Sequence, residues 1–209
     1  MGAVKSPLVE VGVAARALQG QAESGDLHVV VPYPDGLLVA VVDGLGHGNE
    51  AASAAREAVS ALKSCAPQPG IALLRYCHEK LRPTRGVVLS LALFNAQDET
   101  MTWLGVGNVE GMLIRADPQA QPPIESLMLR GGVVGGQLPL LSASVISLLR
   151  GDTLIFTTDG IQSSFAEALV LPGSAQKSAE TILSRYAKET DDALVLVARY
   201  LGCAQGKPC

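Results

Sequence analysis

Acidic residues at the ends of apolar strands are the residues of this sequence with the clearest chemical potential. A Val- and Ala-rich run ends on Asp43, and three glycines follow within five residues before a helical pattern begins. The same order of strand, Asp-Gly and helix recurs at Asp159. Asp26 opens another strand, and the pair Asp191-Asp192 stands directly before the last strand. These carboxylates are far apart in sequence, yet all of them lie at strand termini.

Each of these carboxylates, taken alone, is equally typical of a turn or a solvated strand end. Gathered at one end of a fold, they would repel each other strongly unless cations lay between them. Mg²⁺ and Mn²⁺ are hard ions that take carboxylate and carbonyl oxygens, and no side chain shields the carbonyl of Gly44. Two such ions can activate a water for in-line attack on a phosphoryl group. These residues therefore predict metal-assisted hydrolysis of a phosphoester.

The composition defines the kind of molecule that positions these carboxylates. The 209 residues are 48% hydrophobic and 17% charged, which provides for a large core and excludes wholesale disorder. A net charge of −4 argues against a nucleic-acid partner. Because there is no signal peptide and no apolar run long enough to span a bilayer, we expect a cytoplasmic protein with no membrane partner. We expect a single domain over residues 1–201 and a frayed tail over 202–209.

Alternating apolar residues separated by turn signals predict many antiparallel strands, with helices gathered in an early pair and a late pair. The predicted strands cover 8–18, 27–31, 37–42, 86–95, 100–106, 111–115, 125–129, 145–149, 153–157 and 193–200, and the predicted helices cover 49–64, 71–81, 162–170 and 175–188. Two connections are predicted to be hairpin turns, one over 32–36 and one over 150–152. This order indicates an α+β fold in which two sheets pack together with helices outside.

An ordered set of motifs carries a family resemblance over residues 8–200. The motifs are Ser24-Gly-Asp26, Asp43-Gly-Leu-Gly-His47-Gly48, Gly105-Val-Gly-Asn108, Gly131-Gly-Val-Val-Gly135-Gly136, Thr158-Asp-Gly160 and Asp191-Asp192. In this order and spacing they resemble the metal-dependent protein phosphatases (PPM, type 2C). The resemblance implies a four-layer α-β-β-α fold of two antiparallel sheets flanked by helix pairs. It also implies hydrolysis of phosphoserine and phosphothreonine in proteins, with two Mn²⁺ or Mg²⁺ ions as cofactors.

The resemblance implies a role for most of the acidic residues. Asp43 would bridge both metals, and the carbonyl oxygen of Gly44 would bind one of them. Asp159 and Asp191 would hold the other metal, which makes Asp43, Asp159 and Asp191 the expected catalytic set. Asp26 would act through a metal-bound water or a third ion.

Two further residues are possible members of the same site. Asp192 adjoins Asp191, and the family's acidic ligand is the first residue of such a pair, which favours Asp191. His47 is displaced along the chain from its place in the Asp-Gly-His-Gly motif of eukaryotic-type members. His47 is therefore interpreted either as a general acid or as a residue that packs against or caps the start of the following helix.

The displaced histidine is typical of the bacterial SpoIIE branch of the family. The short chain further resembles the stand-alone feedback phosphatases of the stressosome. The implied partners are phosphorylated stressosome scaffold proteins of the RsbS and RsbR type, whose dephosphorylation resets sigma-factor stress signalling. Two alternatives stay open: a catalytically silent adaptor that keeps the fold and binds a signalling partner, and a hydrolase of a small phosphorylated metabolite.

Overall fold

A computed structural model of the chain describes residues 4–5, 8–21, 23–46, 48–66, 68–167, 171 and 173–202. Its strands are β1 (Val4–Lys5), β2 (Val9–Arg16), β3 (Asp26–Tyr33), β4 (Gly36–Gly44), β5 (Val87–Asn95), β6 (Thr100–Val106), β7 (Glu110–Ile114), β8 (Ile124–Ser126), β9 (Ser144–Ser147), β10 (Thr153–Thr157) and β11 (Ala193–Tyr200). Its helices are α1 (Asn49–Cys65), α2 (Gly70–Leu81) and α3 (Ala175–Tyr186), and a 3-10 turn covers Ser163–Ala166. His47 and most of the expected tail lie outside the described residues.

Within the described residues the strands form two antiparallel sheets, which confirms the expected α+β class. The first sheet has the strand order β1-β2-β11-β10-β7-β8, and the second has the order β3-β4-β5-β6-β9. The predicted hairpin over 32–36 is confirmed, since Tyr33 pairs with Gly36 where β3 turns into β4. Among the described residues no helix is both long and apolar enough to cross a bilayer.

Strand β4 shows how the layers assemble. Successive side chains of a strand point to opposite faces, so a strand that is apolar at every position can be buried on both sides. One set of its side chains packs between the two sheets: Leu37, Val39 and Val41. The alternate set packs under the first two helices: Leu38, Ala40 and Val42. The order of layers on this side is therefore helix pair, sheet and second sheet.

Helix α1 lies close to the sheet because its buried face is made mostly of alanine. The closest approach is at Gly44, where an added Cβ would lie 2.1 Å from the main-chain oxygen of Ala51. Any side chain at Gly44 would therefore push the helix away from β4. Glycine at this position fixes the distance between the start of α1 and the strand end that carries Asp43.

The outer face of the first sheet is covered by α3, which packs Ala179 and Ile182 against the apolar side chains of β11. The predicted helix over 162–170 is not formed as such. Its described part is the 3-10 turn, in which the N–H of Phe165 bonds to the carbonyl of Gln162, and residues 168–170 lie outside the described part. The ring of Phe165 is buried against the ring of Tyr186, and one short turn is enough to place it there.

The predicted hairpin over 150–152 is wrong. Strand β9 pairs with β6 in one sheet, whereas β10 pairs with β7 and β11 in the other. The connection instead passes from one sheet to the other at the edge of the sandwich. The buried carboxylate of Asp152 holds it in place. This carboxylate accepts the main-chain N–H groups of Leu149 at 3.0 Å and Ala116 at 2.7 Å. The Arg-Gly-Asp segment therefore has a structural role between the sheets.

Candidate active site at one end of the sandwich

Asp26 and Asp43 lie side by side at the same end of the second sheet. Asp26 is the first residue of β3, and it is the direct antiparallel partner of Asp43 near the end of β4. The side chain of Thr158 donates a hydrogen bond of 2.7 Å to Oδ2 of Asp26. The same Thr158 hydroxyl accepts the main-chain N–H of Leu194 at 2.9 Å. Because Asp26 begins β3 of the second sheet, whereas Thr158 follows β10 and Leu194 belongs to β11 of the first, this hydroxyl connects the ends of the two sheets.

Asp159 is held from two sides as it leaves β10. The amide nitrogen Nδ2 of Asn108 donates to Oδ2 of Asp159 at 2.8 Å. The Lys188 ammonium donates to the main-chain oxygen of Asp159 at 2.6 Å. Gly160 allows the chain to pass close to β11, since an added Cβ there would lie 1.8 Å from the main-chain oxygen of Asp192. These contacts fix the direction in which the Asp159 carboxylate points.

The carboxylates of Asp43, Asp159 and Asp191 line one cleft of about 540 Å³. The rest of its wall is made of glycines, aliphatic residues and one asparagine: Gly46, Gly107, Gly131, Gly132, Leu45, Val88, Val133 and Asn108. All charged side chains among these described lining residues are acidic. The structure therefore brings these three predicted residues together, and their roles stay a prediction.

Burial and repulsion between carboxylates raise the pKa values of Asp43, Asp26 and Asp191. Burial raises the pKa of Asp43 to about 8, and the charges of Asp26 and Asp159 add to the rise. Burial raises the pKa of Asp26 to about 7, although the hydrogen bond from Thr158 opposes the rise. The more exposed Asp191 also has its pKa raised, first by burial and then by Asp159. A site of this kind favours the binding of positive charge.

The two adjacent acids before β11 have different surroundings. Asp192 turns away from the cleft, and its two oxygens accept the main-chain N–H groups of Leu18 and Gly25, both at 2.7 Å. Asp191 faces the cleft, and its Oδ1 accepts the N–H of Asp192 at 2.9 Å. The geometry therefore leaves Asp191 available to a ligand and uses Asp192 as an internal hydrogen-bond acceptor.

Gly44 and Asp26 lie just behind the cleft wall rather than on it. Gly44 is buried, and its N–H donates to the carbonyl of Gly25 at 3.1 Å. Asp26 is 4% exposed and lies behind Asp43. The carbonyl of Gly44 lies close to Gly25, because an added Cβ on Gly25 would be 3.6 Å from that oxygen. The position of Gly44 therefore depends on the loop that precedes β3.

The donor set fits a hard divalent cation by its chemistry. Carboxylate and carbonyl oxygens are the ligands that Mg²⁺ and Mn²⁺ prefer, and a cation would relieve the repulsion that raises the pKa of Asp43. In the part of the chain that the structure describes, no three acidic, imidazole or thiol groups converge tightly enough to complete an ion site by themselves. The remaining ligands of such an ion would therefore be carbonyl oxygens and water.

The sequence alone predicted no role at the site for three residues that support it: Thr158, Asn108 and Lys188. Thr158 and Asn108 stand inside the recognised motifs, but their partners Asp26 and Asp159 come from other strands. Lys188 has no local signal at all. A signal existed only for Thr158, since a polar residue directly before Asp159 at the end of an apolar strand suggests a buried partner.

Comparison with known proteins places the chain among phosphatases. A family model described as "Stage II sporulation protein E (SpoIIE)" matches residues 33–201. The "Phosphoserine phosphatase RsbX" of Bacillus subtilis (strain 168) is 22% identical over 182 residues, which cover 86% of this chain and 88% of that protein.

Two solved structures have the same fold. A chain from a structure described as "The bacterial stressosome: a modular system that has been adapted to control secondary messenger signaling" is 30% identical, with a TM-score of 0.83. The match covers 91% of this chain and 99% of that chain. RsbX in complex with magnesium has a TM-score of 0.85 at 19% identity, with 95% of this chain and 98% of that chain covered.

Proposed function

Because this chain belongs to the SpoIIE family of metal-dependent protein phosphatases, we propose that it dephosphorylates stressosome scaffold proteins of the RsbS and RsbR type. The substrates are phosphoserine and phosphothreonine side chains, and their hydrolysis returns sigma-factor stress signalling to its resting state. Two similarities support this substrate: a phosphoserine phosphatase matches over most of its length, and a chain of the same fold comes from a structure whose description names the stressosome. The proposed place of action is the cytoplasm, and residues 1–201 form one catalytic domain.

The observation that carries this proposal is the meeting of Asp43, Asp159 and Asp191 in one cleft. We assign Asp43 to both of two Mn²⁺ or Mg²⁺ ions, the carbonyl of Gly44 to one, and Asp159 and Asp191 to the other. A third ion near Asp26 belongs to the same proposal. Such ions activate water and neutralise the charge of a phosphoryl group.

The protein's own residues contribute orientation. Asn108 and Lys188 hold the side chain and main chain of Asp159, so its carboxylate needs little reorganisation when a ligand arrives. Thr158 holds Asp26 behind Asp43, and Asp26 repels the Asp43 charge and so favours a cation there. Preorganised groups of this kind stabilise developing charge without a further cost of reorganisation.

A phosphate-release assay tests the function. The purified chain is mixed with a phosphorylated RsbS-type scaffold protein, with Mn²⁺ or with a chelator, and released phosphate is measured. We expect release only with the metal, and we expect Asp43→Ala to abolish it. Asp98→Ala is the matched control, because Asp98 is an exposed carboxylate in the turn between β5 and β6, at the far end of the sheet.

Two outcomes of this assay would contradict the proposal in different ways. If the folded protein binds the phosphorylated scaffold but releases no phosphate at any metal concentration, it is a silent adaptor and the proposal is wrong. If phosphate is released from small phosphate esters but from no phosphoprotein, the substrate class is wrong. Calorimetric titration with Mn²⁺ distinguishes these cases further, because the adaptor needs no metal affinity and the enzyme does.

A further inference from the structure

Arg85 stands at the edge of the cleft and has no part in the site described above. It belongs to the turn between α2 and β5, and a Cβ placed on Gly46 would lie 3.1 Å from its Nη1 atom. Gly46 itself lines the cleft. The segment that contains Gly46 and the turn that contains Arg85 are hydrogen-bonded to each other, since the N–H of Leu45 donates to the carbonyl of Gly86 at 3.2 Å. The guanidinium therefore lies directly against the cleft wall.

The turn that carries Arg85 is internally fixed. The hydroxyl of Thr84 donates to the carbonyl of Leu81 at 2.7 Å and accepts the N–H of Gly86 at 3.0 Å. Gly86 has a φ of 83°, a conformation that side chains rarely adopt. The backbone on either side of Arg85 is thus held in place, while the side chain itself is 59% exposed and able to turn.

Among the described residues, the guanidinium pairs with the carboxylate of Glu50 in the first turn of α1. The Glu50 side chain is 66% exposed, and exposed ion pairs of this type are weak and exchange readily. Together with Ser53 and Pro83, these two residues line a groove of about 420 Å³ next to the cleft. A stronger anion that enters the cleft would compete with Glu50 for the guanidinium.

We propose that Arg85 binds the phosphoryl group of the substrate and that Glu50 is the partner it releases on binding. This inference rests on the proposed phosphatase function and extends it to substrate capture. A phosphoryl group carries more charge than a carboxylate and offers three acceptor oxygens in a geometry that suits the planar guanidinium. A cation at the edge of the cleft would offset the repulsion between the cleft carboxylates and an incoming dianion wherever metal ions leave charge unbalanced.

The test compares two arginines with closely similar surroundings. Arg82 is 61% exposed and pairs with Glu79, whose side chain is 65% exposed, so Arg82→Ala is the control for Arg85→Ala. Binding of inorganic phosphate to the Mn²⁺-loaded protein is measured by calorimetry. We expect Arg85→Ala to weaken phosphate binding about tenfold, and Arg82→Ala to change it by less than about twofold. Arg85→Lys is expected to lie between them.

Glu50→Gln provides the opposite change. It frees the guanidinium and should strengthen phosphate binding about twofold to threefold, with KM for a phosphoserine peptide lowered in proportion. Equal phosphate affinity in Arg85→Ala and Arg82→Ala overturns the inference, whatever the activity. If phosphate binding depends on Arg85 but no phosphopeptide is hydrolysed by the wild-type protein, the inference holds and the proposed function fails. Thermal unfolding of each variant confirms that it is folded.

Discussion

The carboxylate of Asp192 accepts the main-chain N–H of Gly25 at 2.7 Å, across 167 positions of the sequence. The carbonyl of Gly25 in turn accepts the N–H of Gly44 at 3.1 Å. A carboxylate next to Asp191 thus holds the loop that supports the proposed carbonyl ligand. Asp192 is a positioning residue, and Asp191 is the one with a side chain in the cleft.

This arrangement predicts that Asp191→Ala and Asp192→Ala fail in different ways. Asp192→Ala leaves the N–H groups of Leu18 and Gly25 without their acceptor, and should lower the free energy of unfolding by about 2–4 kcal/mol. Asp191→Ala removes an exposed carboxylate that its neighbours repel, and should change stability by less than about 0.5 kcal/mol. Urea unfolding without metal measures the free energy of unfolding of both variants.

The two variants should also differ in their affinity for Mn²⁺, which calorimetric titration measures. Asp191→Ala should lose most of its Mn²⁺ affinity. Asp192→Ala should keep measurable Mn²⁺ binding under conditions in which the variant is folded. Equal losses of stability in the two variants would contradict the separation of roles. Equal losses of metal affinity, with both proteins folded, would indicate that Asp192 is a ligand.

The parts of the site that follow from local sequence could be predicted, and the parts that depend on distant pairing could not. Asp43 and Asp159 each end an apolar strand and precede glycine, so their placement at a strand end is visible in a few residues. The contact from Thr158 to Asp26 spans 132 positions and requires the ends of two sheets to meet. Lys188 stands at the end of the predicted helix over 175–188, whereas α3 ends at Tyr186. It reaches Asp159 because the N–H of Lys188 donates to the carbonyl of Gly160 at 2.8 Å and the neighbouring Ala187 forms a β-bridge with Ile161.

The same distinction explains the fold. Most strands were predictable because alternation and turn residues are local signals, and the hairpin of β3 and β4 needs only the short connection at Tyr33–Gly36. The connection between β9 and β10 is also short, but its two strands belong to different sheets. The buried carboxylate of Asp152 decides that outcome, because it accepts N–H groups from two segments. No local pattern shows that a carboxylate will be buried in this way.

The pKa values of Asp26 and Asp43 predict how stability depends on pH in the absence of metal. Folding raises both pKa values from 3.8, to about 7 and about 8. The folded protein therefore binds these protons more tightly than the unfolded chain does. The resulting stability is fully present below about pH 4 and is lost as the pH rises through 7 to 8. We expect the free energy of unfolding to be about 2–4 kcal/mol lower at pH 9 than at pH 6.

Urea unfolding in a chelator at the two pH values checks this dependence. Asp43→Asn should reduce it, because the amide cannot ionise while Asp26 still titrates, and Asp98→Asn should leave it unchanged. Mn²⁺ competes with protons for Asp43, so its affinity should rise between pH 6 and pH 8. A metal-free protein that becomes more stable toward pH 9 would contradict the raised pKa values.

Thr158→Val should weaken the link between the two sheets at the site. Valine has the same shape but leaves Asp26 without its donor and the N–H of Leu194 without its acceptor, at a cost of about 1–3 kcal/mol in the free energy of unfolding. The pKa of Asp26 should rise further, since the lost hydrogen bond is what opposes the effect of burial. Thr158→Ser keeps the hydroxyl and is the control. Carboxyl NMR titration of the two variants measures the difference, and equal Asp26 pKa values would refute the role of the hydroxyl.

Two tyrosine hydroxyls, on the half-buried Tyr33 and on the buried Tyr200, predict opposite responses to the same substitution. The hydroxyl of Tyr33 donates to the carbonyl of Phe94 at 2.7 Å. The hydroxyl of Tyr200, a residue 1% exposed in β11, has no hydrogen-bond partner among the described residues. A buried polar group without a partner costs free energy, whereas a satisfied one contributes about 1 kcal/mol. Tyr200→Phe should therefore raise the free energy of unfolding by about 1 kcal/mol, and Tyr33→Phe should lower it by a similar amount. Urea unfolding of both variants decides the matter, and a loss of stability in Tyr200→Phe as large as that in Tyr33→Phe would show that the Tyr200 hydroxyl is bonded in solution.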